Sequence, residues 1–184
     1  MVVRVEPMPG EAHIFLATSL DGFIAGPDDD LSWLPGPNEG DAGEPVDHGF
    51  DAFMGTVGAL LMGRRSYEVV KTLGGWYYGD TPVLVATSRP LGDPVAPTVS
   101  AVSGSPRELF TQAQAVAGEK NVYVDGGALI RSFLDEGLID EMTITVIPVI
   151  LGAGIPLFAG VRERHKLKLV ETRTGGLVQL RYRT

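Results

Sequence analysis

The feature that most constrains this chain is the way its short apolar runs end. HIFLATS over residues 13–19, ALLM over 59–62, PVLVA over 82–86 and VYV over 122–124 are too short for independent helices. They are rich enough in β-branched and aliphatic residues to be strands buried on both faces. Three of these runs are followed within a few residues by glycine: Gly22, Gly63, and Gly126 with Gly127. Amphipathic, helix-competent stretches lie between the strands, over 49–57, 64–73, 106–118 and 128–136. Strands alternating with helices build a mostly parallel sheet with helices on both faces. The end of the chain breaks that alternation. Residues 166–172 and 177–182 flank Gly175–Gly176 and read as an antiparallel hairpin.

Local signals sharpen several boundaries. Ser105-Pro106-Arg107-Glu108 is a capping box with proline at the first helical position, and Gly137 closes the helix that starts at 128. Tyr67 and Val70, with the stem of Lys71, face inward from 64–73. Residues 141–150 form a long β-branched strand, followed by the apolar stretch 155–158. That region is core, or a surface on which two copies pair as a homodimer. Residues 1–12 read as a loosely held tail in which Val2, Val3 and Val5 could add a short strand, and 13–184 as one domain. Residues 26–47 form a long Pro-, Gly- and Asp-rich loop; such loops inside compact domains are often functional, and Trp33 makes this one a candidate substrate lid.

Composition narrows the function classes. The net charge is −8 and no basic run exists, which argues against nucleic-acid binding. The sequence has no cysteine, so disulfides, thiolate metal sites and a cysteine nucleophile are excluded. The N-terminal residues form neither a signal peptide nor a membrane span, and a soluble, cytoplasmic protein is expected. His13, His48 and His165 lack metal-ligand spacing, and no metal site is expected.

Ligands of open α/β sheets lie beyond the carboxyl ends of strands. Three strand ends here carry groups suited to phosphate. Gly63-Arg64-Arg65-Ser66 opens a helix with two guanidinium groups and a hydroxyl; alone, it also reads as a solvated arginine pair. Thr87-Ser88-Arg89 follows another strand, and its hydroxyls and cation suit a 2′-phosphate, favouring NADPH over NADH; alone, it also reads as a polar turn. Asp125-Gly126-Gly127-Ala128-Leu129 places a glycine pair at a helix start, where backbone N–H groups can approach a pyrophosphate, although structural turns use the same pair. Asp21 is the candidate catalytic acid, at the end of the first strand, where it could hold a polar substrate or pass a proton; an Asx turn is the competing reading.

Ala17-Thr18-Ser19-Leu20-Asp21-Gly22-Phe23-Ile24-Ala25, Leu61-Met62-Gly63-Arg64-Arg65-Ser66-Tyr67-Glu68 and Val122-Tyr123-Val124-Asp125-Gly126-Gly127 stand in an order that resembles the dihydrofolate-reductase-like superfamily. Leu138-Ile139-Asp140-Glu141, running into Pro148-Val149-Ile150-Leu151-Gly152-Ala153-Gly154, brings the likeness nearer to the C-terminal reductase domain of the riboflavin-biosynthesis deaminase-reductase. The resemblance covers residues 13–184. It implies an NADPH-dependent reductase acting on a small heterocyclic or ribosylamino-pyrimidine substrate. It implies that Arg64, Arg65, Ser66, Thr87, Ser88 and Arg89 hold the adenosine-side phosphates. Gly126, Gly127, Ala128, Leu129 and Ile130 would cradle the pyrophosphate, and Ala17 and Ile24 would lie against the nicotinamide. Asp21 matches the superfamily's acid at the substrate side. Two departures stand out. Dihydrofolate reductases carry an acid on the first helix, and Asp47 and Asp51 match it only loosely; the zinc deaminase segment of the riboflavin enzyme has no counterpart in this sequence. A dihydropterin reductase and a catalytically silent NADPH-binding protein are the competing functions.

Overall fold

The computed structural model describes residues 10–35 and 48–184. Among the described residues, ten strands and four α-helices follow in the order β1 (Ala12–Ser19), β2 (Phe23–Ala25), α1 (Phe50–Thr56), β3 (Val57–Gly63), α2 (Arg64–Thr72), β4 (Val83–Ala86), β5 (Val99–Val102), α3 (Pro106–Ala117), β6 (Asn121–Asp125), α4 (Gly127–Asp135), β7 (Glu141–Ile147), β8 (Ile155–Pro156), β9 (Lys168–Thr174) and β10 (Val178–Arg183). Eight strands form one sheet in the order β5-β4-β3-β6-β1-β7-β10-β9. The six from β5 to β7 are parallel, and β10 runs antiparallel to both its neighbours. β2 and β8 make a separate two-stranded antiparallel ribbon.

The central strands lack polar alternation because both of their faces are covered. Along β3, Ala59 and Leu61 enter a core shared with α3 and α4, where Leu109, Ala113, Ile130 and Phe133 pack. Leu60 and Met62 point the other way, into a core that holds Tyr67 of α2 and is flanked by Phe50 and Phe53 of α1. Phe15 extends that aromatic layer, stacked on Phe53 with ring centroids 4.8 Å apart. The capping box at Ser105 and Glu108 forms as its spacing predicts: the Ser105 N–H donates to Glu108 Oε2 at 2.7 Å, and the Glu108 N–H reaches back to Ser105 Oγ. Gly137 ends the α4 segment with φ 63°, in the left-handed region.

Several boundaries shift. β7 stops at Ile147, before Pro148, instead of continuing to 150, since proline has no N–H for the ladder. The hairpin strands lie one or two residues later than expected, with an irregularity between Arg181 and Tyr182. Asp125-Gly126-Gly127 is not a separate turn, because β6 runs through Asp125 and α4 starts at Gly127. The 1–12 tail is firmer at its end than predicted. The Gln114 side chain donates to Gly10 O, and the Ala12 N–H donates to Asp140 Oδ2 at 2.8 Å. The expected extra strand at Val2, Val3 and Val5 lies outside the described residues, as do 36–47. The apolar 141–158 region divides: Met142, Ile144, Ile147 and Leu157 are core, whereas Ile150 and Phe158 are exposed.

Candidate functional site

A cavity of about 360 Å³ opens beyond the carboxyl ends of β1, β3 and β6. Its floor is where two strand-to-helix junctions meet, β3 into α2 and β6 into α4. Gly126 makes that meeting possible. Its φ is 98°, and a Cβ there would lie 2.5 Å from Ser66 Oγ. A Cβ on Gly127 would lie 2.8 Å from Ile24 Cδ1, which closes over the same junction from β2. The first residues of both helices line this floor, and the first N–H groups of a helix lack intrahelical partners.

The three guanidinium groups at the cavity are already oriented. Arg64 Nη1 donates to Thr87 Oγ1 at 3.2 Å and to the carbonyls of Arg89 and Pro90, and its Nη2 lies 3.3 Å from Glu68 Oε1. Arg65 Nε donates to Asp29 Oδ1 at 2.7 Å. Arg131 Nη1 donates to the carbonyls of Pro156 and Leu157. A guanidinium has five N–H donors, so each of these can serve a further acceptor.

Two carboxyl groups stand at this end of the sheet. Asp125 lines the cavity. Burial pushes its carboxyl up to about 6, against the pull of the Gly126 backbone N–H. Burial likewise raises the nearby Tyr123 and Tyr78 hydroxyls, and the Asp125 charge adds to both. Asp21 is exposed and is not among the cavity-lining residues. Its Oδ1 accepts from Ser19 Oγ at 2.7 Å and from the Leu151 N–H at 3.1 Å, and its Oδ2 accepts from the Gly152 N–H at 2.7 Å. Those donors, the Ser19 hydroxyl foremost, hold it down to about 2.

Most of the residues expected in the site therefore come together. Ala17, Ile24, Gly63, Arg64, Arg65, Ser66, Gly126, Gly127, Ala128 and Leu129 line one cavity. Thr87, Ser88 and Arg89 do not line it; they form a rim turn that Arg64 ties to α2. Ile130 is corrected. Its side chain is fully buried in the core, and its N–H already donates to Gly126 O at 2.9 Å, so it has nothing to offer a pyrophosphate. Trp33 is also outside the lining, with its indole N–H bonded to Asp30 O, while its neighbours Leu31 and Leu34 reach the cavity. A carboxylate that holds three donors and titrates near 2 has no proton to give at neutral pH, so the acid role expected of Asp21 finds no support in this geometry. Of the two loosely matched first-helix acids, Asp51 is exposed and away from the cavity, and Asp47 lies outside the described residues.

Sequence reasoning did not single out Asp125, Asp29, Arg131 or Ile155, which all line the cavity. For Asp125 the signal was present: a lone acid closing an apolar strand at the centre of the sheet. Arg131 lies one turn beyond Gly127 on the face of α4 that meets the cavity, whereas Asp29 and Ile155 reach it only through contacts distant in sequence. Beside α1, a smaller cavity of about 240 Å³ is lined by His13, Glu141, Glu171 and Arg181 and contains none of the expected residues. Among the described residues there is no cluster able to hold a metal ion, and no helix is long and apolar enough to cross a membrane.

The residues fit a dinucleotide's phosphate chain: a cradle that a Cβ would fill, two helix starts, three guanidinium groups, and an apolar wall of Leu16, Ala17 and Ile24. Comparison with known proteins identifies the family and the fold. The profile of the RibD C-terminal domain matches residues 13–178. The uncharacterized protein YwjB of Bacillus subtilis (strain 168) is 37% identical over 178 residues, covering 95% of this chain and 98% of the relative. A solved structure from Shewanella sp. PV-4, assigned by name to riboflavin biosynthesis, superposes with TM-score 0.82 at 34% identity, covering 94% of this chain and 98% of that one. A diaminohydroxyphosphoribosylaminopyrimidine deaminase/5-amino-6-(5-phosphoribosylamino)uracil reductase from Thermotoga maritima shares the fold, with TM-score 0.67 at 18% identity. The match covers 96% of this chain and 56% of that one. The fold is dihydrofolate-reductase-like.

Proposed function

Because this chain belongs to the RibD C-terminal domain family, we propose that it is an NADPH-dependent reductase of a small heterocyclic or ribosylamino-pyrimidine substrate. The observation that carries this reading is the junction at Gly126, where only a missing side chain lets the β6–α4 junction lie against Ser66 on the floor of one cavity. NADPH, when bound, supplies the hydride. The chain's own residues orient and protonate. The α2 and α4 starts, with Arg65 and Ser66, hold the phosphate chain; Arg64 and the rim turn at Thr87–Ser88–Arg89 take the 2′-phosphate. Ala17 and Ile24 press on the nicotinamide face and exclude water. Asp125, whose carboxyl burial pushes up to about 6, gives its proton to the heteroatom beside the substrate carbon being reduced, most effectively on the acid side of neutrality. Asp21 pins the loop at Leu151 and Gly152 that borders the substrate end.

No α1 acid lines the cavity, so no observation favours dihydropterin reduction. The reading includes a cytoplasmic setting and pairing of two copies through the exposed Ile150 and Phe158; sedimentation of the purified chain tests the pairing. The central test is a fluorescence titration with NADPH and NADH, followed by nicotinamide oxidation with a ribosylamino-pyrimidine or with dihydrofolate. Tighter NADPH binding and oxidation by the pyrimidine are expected. Binding without oxidation by either substrate would identify a silent nucleotide binder, and absence of NADPH binding would overturn the reading.

A further inference from the structure

The cavity's most accessible cation already carries an anion supplied by the chain itself. Arg65 is 67% exposed along its side chain, and its Nε holds Asp29 Oδ1 at 2.7 Å; both residues line the cavity. The segment that delivers Asp29 is held in an unusual shape. Asp28 and Asp29 have φ 57° and 62°, in the left-handed region that residues with side chains rarely occupy. A short 3-10 turn, Pro27–Asp29, places them there, and it is braced by the Gly26 N–H on Asp30 O and the Asp30 N–H on Pro27 O. Further along the same segment, Leu31 and Leu34 lie against the cavity. The ion pair spans 36 residues of sequence and ties this segment to the first turn of α2.

A carboxylate oxygen on a guanidinium Nε occupies the position a phosphate oxygen would take, since both anions present paired oxygens to the same fork. We propose that Asp29 is a positioning residue that acts as a built-in competitor for the cofactor's phosphate. Its carboxylate holds Arg65 until an arriving phosphate group displaces it, which frees the Pro27–Leu34 segment from α2. The inference rests on the NADPH reading above. It adds that the affinity for the cofactor is set below its attainable value by a residue of the Pro27–Leu34 segment.

Two substitutions isolate the effect. Asp29→Asn removes the charge and keeps a hydrogen-bonding side chain. Asp29→Gly removes both and suits a backbone already at φ 62°. The pair is exposed, so the gain is modest: NADPH Kd, measured by fluorescence titration, falls about twofold to fivefold in both variants, with Tm nearly unchanged. In an Arg65→Ala background the same substitutions shift Kd by less than about 1.5-fold, because the competition has lost its site. Unaltered or weaker NADPH binding in the Asp29 variants would overturn the proposal. So would a gain that persists undiminished without Arg65, which would be general charge repulsion. If the unaltered protein binds no NADPH, the cofactor reading is what fails, and inorganic pyrophosphate then tests the competition alone. Tighter pyrophosphate binding by the Asp29 variants supports it, and equal binding overturns it.

Discussion

Asp21 and Asp125 stand at the same end of two adjacent parallel strands, β1 and β6, and the fold treats them in opposite ways. At the β1 end, a hydroxyl and two backbone N–H groups converge on an exposed carboxylate, which is held near 2. At the β6 end, burial penalises the charged carboxyl and only one backbone N–H is returned to it, so it is pushed up to about 6. The first is a permanent anion that ties a loop. The second exchanges its proton in the range where an enzyme needs one. Residue type and place on a strand do not decide between these roles; the number of donors and the access of water do.

The sharpest test of this contrast is catalytic. Asp125→Asn should lower turnover by about 10²-fold or more while NADPH affinity stays within about twofold. In the unaltered enzyme turnover should fall as pH rises through about 6, where Asp125 loses its proton, and the variant should lack that limb. If both proteins share the limb, Asp125 is not the donor. The same variant has a stability signature of defined sign. The folded pKa lies above the unfolded value, so the neutral carboxyl favours folding. That contribution is complete below about 4 and is lost as pH rises through about 6. Asp125→Asn should therefore be more stable than the parent at pH 8, by on the order of 2 kcal/mol, and nearly equal to it at pH 4. Urea unfolding at the two pH values reads this directly.

At the β1 end the sign reverses. The folded pKa of Asp21 lies below its unfolded value, so its contribution is complete above about 4 and is lost as pH falls through about 2. Asp21→Asn should lower Tm at pH 7, with the gap closing toward pH 2. A gap independent of pH would mean that the lost interaction is steric, not ionic.

The contrast also marks where sequence reasoning reached its limit. The sheet was legible because its central strands are uninterrupted apolar runs that end on glycine, and the junctions at Gly63 and Gly126 were legible for the same reason. Edges were harder to read. β9 is exposed along most of its length, so no burial pattern fixes its ends, and β7 ends where Pro148 interrupts the ladder. The different surroundings of the two acids were not legible, because those surroundings depend on partners distant in sequence. Leu151 and Gly152 reach Asp21 across 130 and 131 residues. Asp29 closes on Arg65 through a loop whose composition shows only acidity and turn residues.

Ser19 separates the two ends most finely. Its hydroxyl, buried at 1% exposure, donates to Asp21 Oδ1 and accepts from the Phe23 N–H at 2.9 Å, so it links the carboxylate to the start of β2. Ser19→Ala removes the strongest of the influences that hold Asp21 low and leaves the Phe23 N–H without its acceptor. The expected cost is about 1 kcal/mol at pH 7. The acid-side loss of stability should also begin at higher pH than in the parent, as the Asp21 carboxyl moves toward its ordinary value. The pH limb of turnover near 6 should stay in place, because Ser19 supplies nothing to Asp125. Movement of that limb in Ser19→Ala would show that the two strand ends titrate as one unit, and the separation between a structural and a chemical carboxylate would no longer hold.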